Sequence, residues 1–244
     1  MSVDLAGRTA LVTGSTRGIG LALARALAAA GAGVAINGRT AAAVEAVVSG
    51  IAGSVAAPFD VTDEAAVVQA VETLGPVDVL VNNTGITLRR SLVDLEPDEW
   101  RHLLDVNLTS AFLVARAVAP GMIGRGRGKI VNVCSVMSEL ARPTTGAYAV
   151  TKGALKMLTR SMCAEWAQHG IQANGIAPGY FRTDLNKALQ SDAEFDAWLR
   201  ARVPARRWGE PDELGGAVVF LASPASDFVN GQLLVVDGGL SAVV

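Results

Sequence analysis

Short runs of apolar, often β-branched residues alternate with longer Ala- and Leu-rich stretches along the whole chain. The short runs are apolar at consecutive positions, which is typical of strands that are buried on both faces of a parallel sheet. The pattern predicts seven such strands, at residues 8–12, 34–36, 55–59, 77–81, 129–134, 171–176 and 233–236.

The longer stretches predict the helices that connect these strands. Gly31 ends the first helix, Thr62 is the expected N-cap of the third, and Pro97 lies in the first turn of the fourth. The helices are expected at residues 19–30, 41–51, 63–74, from 97 onward, 146–169 and 211–222. Because no linker or low-complexity segment interrupts the alternation, it predicts a single α/β domain over residues 1–244, with the doubly wound parallel sheet of the Rossmann fold.

Composition argues against several classes of function. Half of the 244 residues are hydrophobic and the formal net charge is −2, so we expect a large core and no nucleic-acid partner. Cys134 and Cys163 have neither disulfide nor metal spacing, which predicts a cytoplasmic location and no metal site. The N-terminus lacks a signal-peptide pattern and no charge-free apolar run has the length of a membrane span, so no membrane partner is expected.

A glycine-rich segment follows the first predicted strand and opens the first predicted helix. Gly14 permits a tight turn, Gly18 lets the backbone approach a pyrophosphate, and Gly20 lets the helix pack closely on the strand. The N-terminus of a helix at this point faces the bound anion. The segment therefore predicts a dinucleotide site that includes Gly14, Ser15, Thr16, Arg17, Gly18, Ile19 and Gly20.

The end of the second predicted strand indicates which dinucleotide binds. Sites for NAD usually carry a carboxylate about 20 residues beyond the glycines, where it binds the ribose 2′-hydroxyl. Here Asn37 and Arg39 occupy that region, and no carboxylate is present to repel a 2′-phosphate. Arg17 and Arg39 supply guanidinium groups that bind phosphate in a bidentate manner. The sequence therefore predicts NADP rather than NAD as the cofactor.

Tyr148 and Lys152 are four residues apart in a predicted helix, so their side chains lie on one face. We expect the nearby ammonium to lower the high pKa of the phenol, which lets Tyr148 exchange a proton with an alcohol or a ketone. Ser135 ends the fifth predicted strand, where its hydroxyl can hydrogen-bond the reacting oxygen. The three residues predict hydride transfer between the cofactor and a secondary alcohol or its ketone.

These motifs resemble those of the short-chain dehydrogenase/reductase family, and the resemblance covers almost the whole chain. It is carried by Gly-x3-Gly-x-Gly at 14–20, by Asn-Asn-Thr-Gly at 82–85, and by Ser135, Tyr148 and Lys152. Thr84 departs from the family's Asn-Asn-Ala-Gly.

The resemblance implies further site residues and an assembly. The additional cofactor contacts that it implies are Asp60, Val61, Asn83, Thr84, Gly85, Pro178, Gly179 and Thr183, together with Tyr148 and Lys152. It implies that Asn107 interrupts a helix and holds a water for proton relay to the lysine. It also implies a homotetramer, formed by sheet-edge pairing near residues 231–236 and by packing of the two longest helices.

The substrate is predicted from three segments that resemble sugar-acid dehydrogenases of this family, at 134–143, 177–181 and 207–209. Glu139 and Arg142 follow Ser135 closely enough to line its pocket, where they could bind hydroxyl groups and a carboxylate. Ser135, Glu139, Arg142 and Tyr148 are thus the predicted binding site for a small sugar acid of the gluconate type. An exposed ion pair in a structural loop explains Glu139 and Arg142 equally well.

Two other functions remain open at the level of sequence. A 3-oxoacyl-carrier-protein reductase would share every catalytic residue named above. A non-catalytic NADP-binding regulator is a more distant alternative, because a pure sensor needs no acid–base group.

Overall fold

Seven parallel strands form one sheet in the computed structural model, which describes residues 3–243. In chain order they are β1 (Thr9–Val12), β2 (Gly33–Gly38), β3 (Ser54–Pro58), β4 (Val79–Asn82), β5 (Gly128–Val133), β6 (Ile171–Pro178) and β7 (Leu233–Val236). Across the sheet their order is β3-β2-β1-β4-β5-β6-β7, and every neighbouring pair is parallel. The predicted doubly wound α/β fold is confirmed.

Helices connect the strands and cover both faces of the sheet. Within residues 3–243 they are α1 (Gly18–Ala29), α2 (Ala41–Val48), α3 (Glu64–Leu74), α4 (Pro97–Leu104), α5 (Ser110–Arg125), α6 (Gly146–Trp166), α7 (Lys187–Gln190), α8 (Ala193–Arg202) and α9 (Gly215–Ala222). On one face Leu23 and Leu27 of α1 pack in a cluster with Val218 of α9. On the other face Val114 and Met122 of α5 belong to a second cluster. Because both faces are covered, the central strands need no polar face, which explains their uninterrupted apolar runs.

The chain reverses the direction of strand addition between β1 and β4. It adds β2 and β3 on one side of β1 and then crosses over to add β4 through β7 on the other side. Ligands of open α/β sheets bind outside the carboxyl ends of the strands at such a switch point. A ligand site is therefore expected at the loops that follow β1 and β4.

One helical stretch, Pro97–Arg125, is long and apolar enough to cross a membrane by length and composition alone. It consists of α4, the π turn Asp105–Thr109 and α5. Half of its most apolar window is buried inside the molecule, and α5 contacts both β4 and β5. The stretch is therefore part of the core of the domain.

Three local features differ from the sequence prediction. Asp63 rather than Thr62 caps α3, since its carboxylate accepts a hydrogen bond from Ala66 N at 3.1 Å. The Thr62 hydroxyl instead donates to Asp60 Oδ1 at 2.7 Å. The stretches at 167–169 and 211–214, predicted as α-helix, form tighter 3₁₀ turns at helix ends, where such turns are common. Helices α7 and α8 lie in a region where the sequence pattern predicts no helix.

Candidate active site

The glycine-rich segment, residues 13–20, lies between β1 and α1 at the carboxyl edge of the sheet. Gly14 has a φ of +59°, a conformation that residues with a Cβ rarely adopt. A Cβ on Gly20 would lie 2.4 Å from Gly14 O, so only glycine lets α1 begin this close to the loop. The first turn of α1 carries no acidic side chain. Its free backbone N–H groups are therefore suited to an anion.

The polar side chains next to this segment hold it in place. Asn37, at the end of β2, accepts a hydrogen bond from Gly14 N at 3.0 Å and donates to Ala57 O and Phe59 O. Ser15 Oγ donates to Val12 O at 2.7 Å and accepts from Asn37 N at 2.9 Å. The side chains of Ser15 and Asn37 are buried and make these hydrogen bonds within the protein. They therefore position the glycine-rich backbone, and other groups contact the cofactor.

Arg17, just before α1, and Arg39, just after β2, are both exposed. Within residues 3–243 neither Arg17 nor Arg39 forms a salt bridge. Asp60 accepts hydrogen bonds from the backbone and hydroxyl of Thr62, which lower the pKa of its carboxyl, and the charge of Arg39 lowers that pKa further. Arg39 and Asp60 are therefore close neighbours, with Val61 buried behind them. The corner offers guanidinium groups to a phosphate and a fixed carboxylate beside it.

The remaining predicted residues of the glycine-rich segment face inward. Thr16 lies against the end of β2, because a Cβ on Gly38 would come within 2.7 Å of its methyl group. Ile19 packs on the core under α1. Thr16 and Ile19 can therefore contact a ligand through their backbone and not through their side chains.

The segment after β4 joins the glycine-rich loop to the catalytic side chains. Asn83 Nδ2 donates to Thr13 O and to Gly14 O, at 2.9 and 3.1 Å. A Cβ on Gly85 would lie 3.4 Å from both Asn107 Oδ1 and Lys152 Nζ. The backbone of Gly85 therefore lines this side of the site, and a larger residue at position 85 would occupy the space beside Asn107 and Lys152.

Asn107 lies in the π turn between α4 and α5, as the interruption implied by the resemblance requires. Its side chain accepts from Ile86 N at 2.7 Å, donates to Ile86 O at 2.9 Å, and donates to Thr151 Oγ1 at 3.1 Å. The wider π turn aims the amide across the site. Asn107 thus ties the loop after β4 to α6, the helix that carries Tyr148 and Lys152.

Ser135, Tyr148 and Lys152 meet at the carboxyl end of β5. Lys152 Nζ donates to Val133 O at 2.7 Å and lies 5.8 Å from the centre of the Tyr148 ring. Ser135 Oγ accepts from Met137 N at 3.1 Å, and it lies close enough to the Tyr148 phenol to lower the pKa of that phenol. The serine hydroxyl and the phenol therefore converge on one point.

Burial dominates the electrostatics of this cluster. It lowers the pKa of Lys152 to about 8 and raises the pKa of Tyr148 to about 12, with the Ser135 hydrogen bond acting in the opposite direction. The sequence predicts that the ammonium lowers the pKa of the phenol. That prediction is wrong for this arrangement, because desolvation of the phenolate is the larger effect.

The turn after β6 completes the cofactor side. Gly179 N donates to Val236 O at 3.0 Å, which holds the turn that begins at Pro178 against β7. A Cβ on Gly18 would lie 4.0 Å from the Thr183 side chain. Pro178, Gly179 and Thr183 therefore lie across from the glycine-rich segment.

Arg142 lies in the loop between Ser135 and α6, the helix that carries Tyr148. Its Nη1 donates to Tyr180 Oη at 3.1 Å, and its guanidinium lies 5.0 Å from the centre of the Phe195 ring. The pKa of Arg89 is lowered, first by burial and second by the charge of Arg142. Glu139, in contrast, is exposed and forms a salt bridge with Lys156. The structure thus joins Arg142 to Tyr180 and directs Glu139 to Lys156 of α6.

Sequence reasoning missed the aromatic cluster that supports Arg142. The Tyr180 ring makes edge contacts with Phe195, Trp198 and Trp208, at centroid distances of 5.4–6.2 Å. Trp208 Nε1 donates to Asp196 Oδ1 at 2.7 Å, which fixes α8 to the loop after it. A signal was available, since aromatic residues are scarce and five of them fall within residues 180–208.

Metal chemistry has no support in the described part of the chain. Within residues 3–243, no three His, Cys, Asp or Glu side chains are close enough together to hold a metal ion. The acid–base and cofactor residues described above are the chemically distinctive groups of this edge of the sheet.

Comparisons with known proteins agree with this geometry. Residues 14–241 match the family model described as enoyl-(acyl carrier protein) reductase. The chain is 51% identical to gluconate 5-dehydrogenase of Gluconobacter oxydans (strain 621H) over 98% of this chain and 96% of that protein. It is 52% identical to 5-keto-D-gluconate 5-reductase of Escherichia coli (strain K12), over 99% of this chain and 98% of that protein.

A solved structure gives the same result in three dimensions. A gluconate 5-dehydrogenase from Burkholderia cenocepacia J2315, in complex with NADP and tartrate, superposes with a TM-score of 0.97 at 55% identity, covering 100% of this chain and 98% of that one. Fold, motif spacing and full-length similarity therefore agree: this chain belongs to the short-chain dehydrogenase/reductase family.

Proposed function

We propose that this protein is an NADP-dependent oxidoreductase that interconverts a sugar acid of the gluconate type and its keto acid, with 5-ketogluconate as the model substrate. Two relatives that match nearly the full chain are named for this reaction. In this chain, the cofactor pocket, the catalytic cluster and Arg142 support the same reaction.

The cofactor pocket fits NADP. The backbone cradle at Gly14 and Gly20 has no room for a Cβ at Gly20, and the adjoining helix start suits a pyrophosphate. Arg17 and Arg39 have no salt bridge within residues 3–243, which supports their binding of a 2′-phosphate. NAD is disfavoured because β2 ends without an acidic residue, the position at which NAD sites usually carry the carboxylate that accepts the ribose 2′-hydroxyl.

The catalytic cluster supplies proton transfer. When bound, NADPH supplies the hydride. Tyr148 holds its proton at neutral pH, because burial raises the pKa of its phenol to about 12, and it gives that proton to the carbonyl oxygen during reduction. Ser135 hydrogen-bonds the same oxygen, and the ammonium of Lys152 stabilises the phenolate left behind. Asn107 lies where a water could return a proton to Lys152, since both flank Gly85.

The observation that supports an acid as the substrate is the Arg142 guanidinium, which donates to Tyr180 Oη. It has no carboxylate partner within residues 3–243. A guanidinium without a counter-ion favours a bound anion. Tyr180 Oη, which accepts from Arg142, keeps its own hydrogen for a substrate oxygen. The relative solved with tartrate holds a hydroxy acid.

The test compares substrates and one variant. We expect the kcat/KM for reduction of 5-ketogluconate to be higher with NADPH than with NADH. With NADPH, the kcat/KM should also be higher for 5-ketogluconate than for acetoacetyl thioesters. Arg142→Ala should raise the KM for the acid by about tenfold or more, the loss of one charged hydrogen-bonded pair, and change the KM for an uncharged ketose far less. Glu139→Ala is the matched control, because Glu139 is exposed and pairs with Lys156 instead.

Two results would contradict the proposal. A better rate with the thioester would favour an acyl-carrier-protein reductase, the class that describes the matching family model. If Arg142→Ala raises the KM values of the acid and of the ketose equally, Arg142 does not bind the substrate carboxylate.

We further infer that the enzyme is a cytoplasmic homotetramer with no nucleic-acid or membrane partner. Cys134 and Cys163 are free thiols, which suits a reducing compartment. Exposed apolar side chains on α5, α6 and β7, among them Phe112, Met157 and Val235, support association with further copies. The net charge of −2 offers nothing to a polyanion.

A further inference from the structure

The hydroxyl of Ser138 links the backbones of two residues of the catalytic cluster. Ser138 ends the 3₁₀ turn Val136–Ser138, which follows Ser135. Its Oγ accepts from Ser135 N at 3.4 Å and donates to Lys152 O, on α6, at 2.9 Å. Because the side chain is partly buried, water competes with these bonds less than it would at the surface. One hydroxyl therefore ties the turn that holds Ser135 to the helix that holds Lys152.

The same turn orients the hydroxyl of Ser135. Ser138 N donates to Ser135 O at 2.9 Å, which closes the turn. Met137 N donates to Ser135 Oγ at 3.1 Å and so occupies one lone pair of this oxygen, which leaves the hydroxyl hydrogen for another acceptor. In the proposed reaction that acceptor is the reacting oxygen, which also takes the proton of Tyr148. The turn must therefore keep its place relative to α6 if both groups are to meet the same oxygen.

A second polar contact joins this part of the chain to α6, and it is the weaker one. Glu139, the next residue, forms an ion pair with Lys156, but its side chain is 49% exposed, and exposed ion pairs contribute little to stability. The turn itself rests directly on the helix, since a Cβ on Gly153 would lie 3.9 Å from Ser138 O. The Ser138 hydroxyl is thus the better-shielded polar link between the turn and the helix.

We propose that Ser138 is a positioning residue, which sets the distance between Ser135 and the pair of Tyr148 and Lys152 through its bond to Lys152 O. The inference rests on the proposed catalytic roles of those three residues. A displacement of about 1 Å in a catalytic group can lower turnover by up to about 10²-fold. Because Ser135 acts on the charge that develops on the reacting oxygen, the loss should appear in kcat and not in the binding of substrate or cofactor.

The experiment compares Ser138→Ala, Ser138→Thr and Ser161→Ala with the wild-type protein in the reduction of 5-ketogluconate by NADPH. Ser138→Ala should lower kcat about tenfold and leave the KM and the Kd for NADPH within about twofold. Ser138→Thr keeps the hydroxyl and should restore kcat to within about threefold of the wild type. Ser161→Ala is the matched control, since the Ser161 hydroxyl also bonds a carbonyl of α6, Met157 O at 3.1 Å, at an exposed position. If acetoacetyl thioesters are the better substrates, the same comparison is made with them.

The pH profile gives a readout that a loss of stability alone does not move. Burial holds the pKa of Lys152 at about 8. When Ser138→Ala loosens the turn, more water reaches the ammonium, which favours its charged form. The inflection that Lys152 produces in kcat/KM should therefore move to higher pH in Ser138→Ala and return to the wild-type position in Ser138→Thr.

Several results would overturn the role of Ser138. Among them are a normal kcat in Ser138→Ala, even with a lower Tm, an equal loss of kcat in Ser138→Thr or Ser161→Ala, and a rise in KM alone. If Ser138→Ala does not fold, Ser138→Cys replaces it, because a thiol is a weaker donor of similar shape, and the same loss of kcat is expected. Near-normal turnover in Tyr148→Phe would instead contradict the proposed catalytic roles, and the role of Ser138 with them, so the two failures are distinguishable.

Discussion

At the scale of single residues, burial affects the pKa values of Tyr148 and Lys152 more than the attraction between the two side chains does. Lys152 and Tyr148 lie one helical turn apart, but the ammonium of Lys152 is bonded to Val133 O rather than to the phenol. The pKa values are about 8 for Lys152 and about 12 for Tyr148. The phenol is therefore protonated at neutral pH, which suits it to act as the acid in ketone reduction.

Removal of the phenol hydroxyl tests this role. Tyr148→Phe keeps the ring and its packing but removes the proton donor, so the turnover number for keto-acid reduction should fall by about 10²–10⁴-fold. The Kd for NADPH and the Tm should stay near the wild-type values. Near-normal turnover in Tyr148→Phe, with the protein folded, would show that another group supplies the proton.

The pKa of Lys152 predicts the pH dependence of reduction. The Lys152 ammonium stabilises the phenolate that forms as Tyr148 gives up its proton, and this charge is lost as the pH rises through about 8. The kcat/KM for reduction should therefore fall above pH 8, while alcohol oxidation, which needs the phenolate, should rise with pH. In Lys152→Met the inflection near pH 8 should disappear. An inflection that persists in Lys152→Met belongs to a different group.

At the scale of elements, helix α8 positions the Arg142 side chain on the substrate side of the site. Phe195 of α8 stacks near the Arg142 guanidinium, and Asp196 of the same helix accepts from Trp208 Nε1. Trp208 is almost fully buried, so it provides a fixed point for the helix. The substrate side is thus assembled from the loop after β5, the turn after β6 and α8.

The Asp196–Trp208 hydrogen bond should matter for substrate binding more than for cofactor binding. Asp196→Ala leaves the indole N–H without its partner and loosens α8, so the KM for 5-ketogluconate should rise about three- to tenfold. This is less than the loss of a direct hydrogen bond to a charged group, because α8 acts on Arg142 through Phe195. The Kd for NADPH should not change. Asp196→Asn retains an acceptor oxygen and serves as the control. Equal kinetics for the alanine and asparagine variants would show that the bond does not position α8.

At the scale of the whole molecule, the parallel sheet has two edge strands, β3 and β7, and both expose apolar side chains. The edge at β7 exposes Leu234 and Val235, and the two longest helices, α5 and α6, expose Phe112, Val150 and Met157. The opposite edge, β3, exposes Val55. Exposed apolar side chains along an edge strand and along a pair of helices favour two separate interfaces, as a tetramer with two-fold symmetry requires.

Charged substitutions should separate these interfaces. The wild-type protein should run as a tetramer in size-exclusion chromatography with light scattering. Met157→Glu and Val235→Glu should each give dimers, because a carboxylate buried in an apolar interface is strongly disfavoured. Val55→Glu, on the opposite edge strand, should leave the tetramer intact. A monomeric wild-type protein, or identical behaviour of Val55→Glu and Val235→Glu, would contradict this assembly.

The sequence by itself determined the features that depend on local order along the chain. Consecutive apolar residues define buried strands, Gly14 and Gly20 define the phosphate turn, and a spacing of four defines the shared helical face of Tyr148 and Lys152. Each of these depends on backbone geometry within a few residues. For this reason the fold class and the catalytic edge of the sheet could be predicted before any contact was known.

The tertiary structure decided what depends on residues distant in sequence. It joined Arg142 to Tyr180, 38 positions away, and directed Glu139 to Lys156 instead. It engaged the side chain of Asn37 completely and left the hydroxyl of Thr84 without a partner in the described chain. Burial also reversed the expected direction of the Tyr148 pKa. Hydrogen-bond partners and desolvation depend on which surfaces meet after folding, and spacing along the chain carries no record of either.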